Sequence, residues 1–138
     1  MKKMLSFLAP LLLTPILLMA QKTDYKVVFD LTTKDPAVHQ TVVRWINAIT
    51  KETPDAQLEV VFYGQSLDMI RTDKSTLASD ITALARNNNV SFAVCEIAMK
   101  RHNIDKSQLL PGVKTVPDGI YELVSRQKQG WGYIKVSQ

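Results

Sequence analysis

The sequence predicts one α/β domain built on a mostly parallel sheet. Two observations carry this. Five short β-branched or aromatic segments alternate with helical segments, and 138 residues suffice for one domain with a real core but not for two. The first strand, Tyr25 to Leu31, has too few polar residues for a half-exposed strand and fits the interior of a parallel sheet. Asp35-Pro36 then supplies an N-cap and a proline at the first helical position. Val38, Val42, Trp45, Ile46 and Ile49 follow at helical spacing as one apolar stripe, which places Trp45 in the core.

Thr53-Pro54-Asp55 ends that helix, and Leu58 to Tyr63 is the second strand, closed by Gly64. Residues 65–74 read as a loop with at most one short turn, where Met69 and Ile70 would cover a pocket or a subunit contact. Ser75 or Asp73 is expected to cap the next helix, whose buried face is Leu77, Ile81, Leu84 and Ala85. Asn87-Asn88-Asn89 is a turn signal. Val90 to Val94 is the third strand, Cys95 ends it, and Glu96 to His102 continues as a short helix. A helical turn over Asp105 to Leu110 leads to a short fourth strand, Val113 to Val116. Pro117-Asp118 opens a helix with Ile120, Leu123 and Val124 inward, and Gly130 closes it. Trp131 to Val136 is the fifth strand, with Trp131 and Tyr133 as packing or interface residues. This alternation demands helices on the sheet faces and right-handed crossovers; it leaves the strand order open.

The N-terminus has a different character. A basic Met1-Lys2-Lys3 precedes an almost wholly apolar run from Met4 to Met19, with the small Ala20 after it. This reads as a signal peptide, residues 1–20, ahead of a single domain, residues 21–138. The run is short for a spanning helix, which needs roughly 20 residues, and Pro10 and Pro15 interrupt it. The expected location is therefore periplasmic or secreted, with no membrane attachment after cleavage. Removal of Lys2 and Lys3 lowers the formal charge from +4 to +2. A mixed, nearly balanced charge gives no footprint for nucleic acid.

Sites in parallel sheets form at the carboxyl ends of the strands. Those ends carry Asp30 and Thr32, Gly64 and Gln65, Cys95 and Glu96, and Pro117, the expected binding positions. Cys95, the single cysteine, is the strong nucleophile among them. Unpaired N–H groups at a helix N-terminus favour a thiolate there, whereas Glu96 next door opposes it. A small apolar residue finishing a buried strand is the plainer reading of the same position. Residues 30–35 hold no glycine, which argues against a dinucleotide site, and one cysteine excludes a dithiol pair. No metal site and no cofactor is called for. His39 shares the Cys95 edge as a surface histidine, and His102 lies two turns beyond the thiol.

The segments Val90 to Cys95, Met99-Lys100, Leu109 to Val113, Val116 to Ile120, Glu122 to Val124, Gln127 and Gly130 to Ile134 together resemble the DsrE/DsrF-like family. Lys26 to Asp30 and Val60 to Gly64 agree more loosely. The resemblance implies a three-layer α/β/α sandwich around a five-stranded sheet and association into trimers or hexamers. It also implies sulfur handling, in which a cysteine, here Cys95, accepts sulfane sulfur as a persulfide from a donor protein or small sulfur compound and passes it on. The best-understood members are cytoplasmic, whereas this chain carries an expected export signal. The alternative is a non-catalytic oligomeric binding module in which Cys95 is structural.

Overall fold

A computed structural model describes residues 24–137; the expected signal peptide lies outside the described residues. Five strands form one sheet: β1 (Lys26–Leu31), β2 (Gln57–Phe62), β3 (Val90–Cys95), β4 (Val113–Val116) and β5 (Gly132–Val136). All four pairings are parallel and the order is β4-β3-β2-β1-β5. The helices are α1 (Pro36–Glu52), α2 (Ala78–Leu84), α3 (Glu96–Arg101) and α4 (Gly119–Lys128). From β1 to β4 the chain steps in one direction, so right-handed crossovers put α1, α2 and α3 on one face. The last connection runs back past the whole sheet to pair β5 with β1, and α4 lies on the opposite face. The result is the three-layer α/β/α sandwich.

The two faces are unequal. Phe29, Leu31, Val60, Phe62, Phe92 and Val94 pack with Val42, Ile46, Ile81 and Met99 in the main core. On the other face Val28 and Val61 meet Leu123 of α4 in a small cluster edged by Tyr63 and Trp131. The central strands are buried on both faces, as a parallel sheet covered by helices requires.

Local signals explain the helix ends. The Asp35 carboxylate accepts from the Ala37 N–H at 2.8 Å, with Pro36 at the first helical position. Asp118 caps α4 by accepting from the Ile120 and Tyr121 N–H groups at 2.8 and 3.3 Å. Gly130 takes φ +84°, letting the Trp131 N–H return to the Arg126 carbonyl at 3.1 Å.

Four expectations are corrected. Ile120 and Val124 face outward, 56% and 41% exposed. The inner face of α4 is Gly119, Leu123 and Arg126, at i, i+4 and i+7, and Ile120 and Val124 are each rotated one residue away from it. Trp45 is half-exposed, with its ring lying 6.2 Å from that of Phe29 at the core margin. Met69 and Ile70 belong to the core, because Ser66–Ile70 forms a 3-10 turn anchored by the Ser66 hydroxyl donating to the Leu31 carbonyl at 2.7 Å. Leu77, not Ser75 or Asp73, precedes α2; Asp73 pairs with Arg71, and the Ser75 hydroxyl accepts the Leu77 N–H.

Candidate functional site

The register aligns three strand ends. Leu31 pairs with Phe62, and Phe62 with Val94. The next residues, Thr32, Tyr63 and Cys95, therefore stand in one row on the α4 face, because successive strand side chains alternate. One pleat back on that face, Lys135, Asp30, Val61 and Ala93 form a second row. β3 and β4 are the adjacent strands whose outgoing connections take opposite faces, to α3 on one and α4 on the other, which is where parallel sheets place their sites.

Cys95 closes β3 and is 5% exposed. Its roof is the first turn of α4: a Cβ on Gly119 would stand 3.1 Å from the Cys95 Cβ and 3.3 Å from Val61 Cγ1. The thiol thus sits where β3 ends, beneath the N-terminal turn of α4.

Asp30 is buried beside the row. Its carboxylate accepts from the Tyr133 hydroxyl at 2.5 Å and from Lys135 Nζ at 3.0 Å. The same ammonium donates to the Thr32 hydroxyl at 2.8 Å and lies 5.7 Å from the centre of the Tyr63 ring. Burial pushes the Tyr63 hydroxyl far above the ordinary tyrosine range, and the negative charge of Asp30 pushes the same way. The hydrogen bond to Asp30, then burial, raises Tyr133 to about 12. Both phenols stay protonated at neutral pH.

The other expected positions divide. Thr32 belongs to this cluster. Gly64 (φ +63°) packs on Thr32, where a Cβ would meet the Thr32 carbonyl oxygen at 3.2 Å, and its own carbonyl bonds His102 Nε2 at 2.7 Å. Gln65 lines a separate cleft of about 290 Å³ with Lys34, Leu67, Asp68, Arg71, His102 and Ile104. Glu96 pairs with Lys106 at 3.0 Å, and Lys106, then Thr115, hold its carboxyl below the usual glutamate range. Pro117 is exposed just before α4. His39 is buried rather than on the surface, because its Nε2 bonds the Thr33 carbonyl at 2.8 Å.

Tyr63, Tyr133, Lys135 and Gly119 join the site without having been singled out for it in the sequence. Tyr63 read as a strand residue, and Tyr133 and Lys135 reach Asp30 only because β5 pairs with β1. A second unforeseen network anchors α4. Buried Glu59 accepts two bonds from Arg126, at 2.7 and 3.1 Å. Arg126 also bonds Glu122 at 2.9 Å and lies 4.7 Å from the centre of the Trp131 ring.

Comparison with solved structures finds the same fold. The protein of unknown function MTH1491 from Methanobacterium thermoautotrophicum is 28% identical, with a TM-score of 0.76 over 81% of this chain and 99% of that one. The ychN protein from E. coli, 13% identical, has a TM-score of 0.65 over 80% of this chain and 98% of its own. BT1422 from Bacteroides thetaiotaomicron, a conserved protein of unknown function, is 14% identical, with a TM-score of 0.68 over 84% of this chain and 98% of its own. At those two identities the likeness speaks for the fold alone. No curated protein gives a match. The DsrE/DsrF-like family model matches residues 26–136, the whole of the sheet and its helices, and the chain belongs to that family.

Proposed function

We propose that the protein is an exported sulfur carrier that holds sulfane sulfur as a persulfide on Cys95. The observation that carries the reading is the placement of the chain's one cysteine at the carboxyl end of β3, under the first turn of α4 and in line with Tyr63 and Thr32. Family membership supports it, because sulfur relay is the role the family resemblance implies. Both histidines bond backbone carbonyls through Nε2, at Thr33 and Gly64, and the reading assigns neither of them a role as base.

The chemistry is a transpersulfidation. The Cys95 thiolate attacks the outer sulfur of a donor persulfide R–S–SH. A new S–S bond forms to Cys95 as the donor S–S bond breaks, and the electron pair leaves on R–S⁻. Attack by an acceptor thiolate on the outer sulfur of the Cys95 persulfide reverses the sequence and returns Cys95 as thiolate. The donor and acceptor are a partner protein or a small sulfur compound. Trimeric or hexameric association accompanies this reading, and so does removal of residues 1–20 on export.

Intact-mass spectrometry after incubation with inorganic polysulfide tests it. The expected result is a gain of one sulfur, removed by thiol reductant and absent from Cys95→Ser. A protein that gains no sulfur while Cys95 remains free would sink the proposal. The 5% exposure of Cys95 favours a second reading, a non-catalytic binding module of the same fold in which Cys95 only packs. That result would leave this second reading in its place.

A further inference from the structure

We propose that the cleft beside Gly64 binds a free apolar α-amino acid, through an ammonium and a carboxylate of the protein that share the cleft without pairing with each other. The site is separate from the thiol, because Cys95 is not among the residues that line it.

The cleft holds about 290 Å³, the small end of ligand pockets, which run from roughly 300 to 1,000 Å³. Three connections build it at the carboxyl edge of the sheet, where α/β proteins place their ligands. Lys34 comes from the loop between β1 and α1. Gln65, Leu67, Asp68 and Arg71 come from the loop and 3-10 turn after β2, and His102 and Ile104 from the segment after α3. Leu67 and Ile104 are buried members of the main core and give the cleft its apolar part.

The polar side chains are unevenly matched. Arg71, with a side chain only 17% exposed, makes its shortest bonds to Asp73, at 2.7 and 3.0 Å. It reaches Asp68 at 3.3 Å, so the Asp68 carboxylate is exposed and loosely held. Lys34 shares the cleft with Asp68 yet forms no ion pair with it. Among the described residues, neither the Lys34 ammonium nor the Gln65 side-chain amide has a hydrogen-bond partner. His102 is fixed through Nε2, which donates to the Gly64 carbonyl at 2.7 Å. A carbonyl only accepts, so Nε2 carries the proton, and in the neutral ring Nδ1 is an acceptor.

The cleft therefore combines two unused donors, Lys34 and Gln65, with two acceptors, Asp68 and His102 Nδ1, beside apolar surface. A simple anion would meet Asp68 unfavourably, and a simple cation would meet Lys34 unfavourably. A molecule that carries both charges and an apolar side chain suits all of these groups. Its carboxylate accepts from Lys34 and Gln65, its ammonium donates to Asp68 and His102, and its side chain lies on Leu67 and Ile104. A free apolar α-amino acid is the smallest molecule of that kind.

Titration with L-valine, L-leucine and L-methionine, followed through the backbone amide signals in NMR spectra, tests the site. At least one should bind saturably with a Kd of about 1 mM or tighter, with shifts centred on Gln65 to Arg71 and His102 to Ile104. The N-acetyl derivative of that amino acid lacks the ammonium, and the corresponding decarboxylated amine lacks the carboxylate. Each should bind about tenfold more weakly, because each loses charged hydrogen bonds. Lys34→Gln and Asp68→Asn should also each weaken binding by about tenfold, and both positions are exposed, so the fold is retained. Cys95→Ser should bind as wild type does, so failure of the carrier reading leaves this site standing, and failure here leaves the carrier reading standing. The proposal is overturned if none of the three amino acids saturates the site, if a singly charged analogue binds as tightly as its amino acid, if either cleft variant binds like wild type, or if Cys95→Ser weakens binding.

Discussion

Gly119 lets the backbone of α4 lie directly on Cys95: a Cβ added there would come within 3.1 Å of the Cys95 Cβ. Neither neighbour can give way easily. The Cys95 Cβ is fixed to the end of a central strand, and Val61, at 3.3 Å, is fully buried. Alanine would improve helix propensity, yet Gly119 opens the helix, where that gain is smallest. Overpacking therefore decides the sign, and Gly119→Ala should lower stability by about 1–2 kcal/mol in chemical denaturation. The same shift lifts the first turn of α4, so the Cys95 alkylation rate should rise. A variant as stable as wild type would mean that the helix does not bear on the thiol.

Arg126 holds α4 to the sheet through Glu59, whose side chain is 2% exposed. Burial raises the Glu59 carboxyl above its ordinary value, and Arg126 opposes that shift. Arg126→Met would leave the carboxylate without its partner and should cost about 2–3 kcal/mol at neutral pH, below the figure for a fully buried pair because Arg126 is partly exposed. The sign with pH follows from linkage. A glutamate whose folded pKa is raised favours the fold below its unfolded value and loses that contribution as pH rises through the folded value. Losing Arg126 raises the folded value further. The deficit of Arg126→Met relative to wild type should thus be largest at neutral pH and shrink as pH falls below the ordinary glutamate value. Denaturant melts at both pH values check this, and a deficit independent of pH would contradict it.

The alternation of strands and helices was plain in the sequence because parallel strands buried on both faces read as near-continuous apolar runs, as Leu58 to Phe62 does with Glu59 its single polar residue. Asp35-Pro36 and Gly130 marked helix ends because their roles depend on local backbone geometry alone. Strand order is not local. Asp30 was a candidate by its place at a strand end, but its partners, Tyr133 and Lys135, became its neighbours only when β5 returned to pair with β1. The inner face of α4 was misread for a related reason. Ile120 and Val124 look like a core stripe by hydrophobicity, yet this helix presents a glycine to the thiol and an arginine to a buried glutamate. His39 read as a surface residue because the backbone carbonyl that satisfies it, that of Thr33, is invisible to pattern.

Asp30 also sets the titration of the two tyrosines around it. Tyr133 is raised to about 12, and Tyr63 is raised as well. A phenol whose folded pKa is raised contributes stability that is complete below its unfolded value of about 10 and is lost as pH rises through the folded value. Wild type should weaken progressively over that alkaline window. In Asp30→Asn the carboxylate charge is gone, so both tyrosines should ionise earlier and the window should move down. Absorbance of tyrosinate during an alkaline titration reads this directly. Unchanged curves in the variant would show that Asp30 does not govern either hydroxyl.

Glu96 follows Cys95 in sequence, and an acid beside a thiol is expected to oppose its ionisation. The structure turns that carboxylate elsewhere: Lys106 binds it at 3.0 Å. The pair is solvent-facing, with side-chain exposures of 33% and 67%, so water and salt screen what charge remains. Glu96→Gln should therefore change the alkylation rate of Cys95 by less than about twofold at physiological ionic strength. Lys106→Gln supplies the complementary test, because it frees the carboxylate while leaving its charge in place. If Lys106 is what keeps the acid away from the sulfur, Lys106→Gln should slow alkylation more than Glu96→Gln alters it. The double variant should return to the rate of Glu96→Gln, since without the carboxylate there is nothing for Lys106 to hold. A large effect of Glu96→Gln alone would place its charge back on the thiol and contradict the geometry.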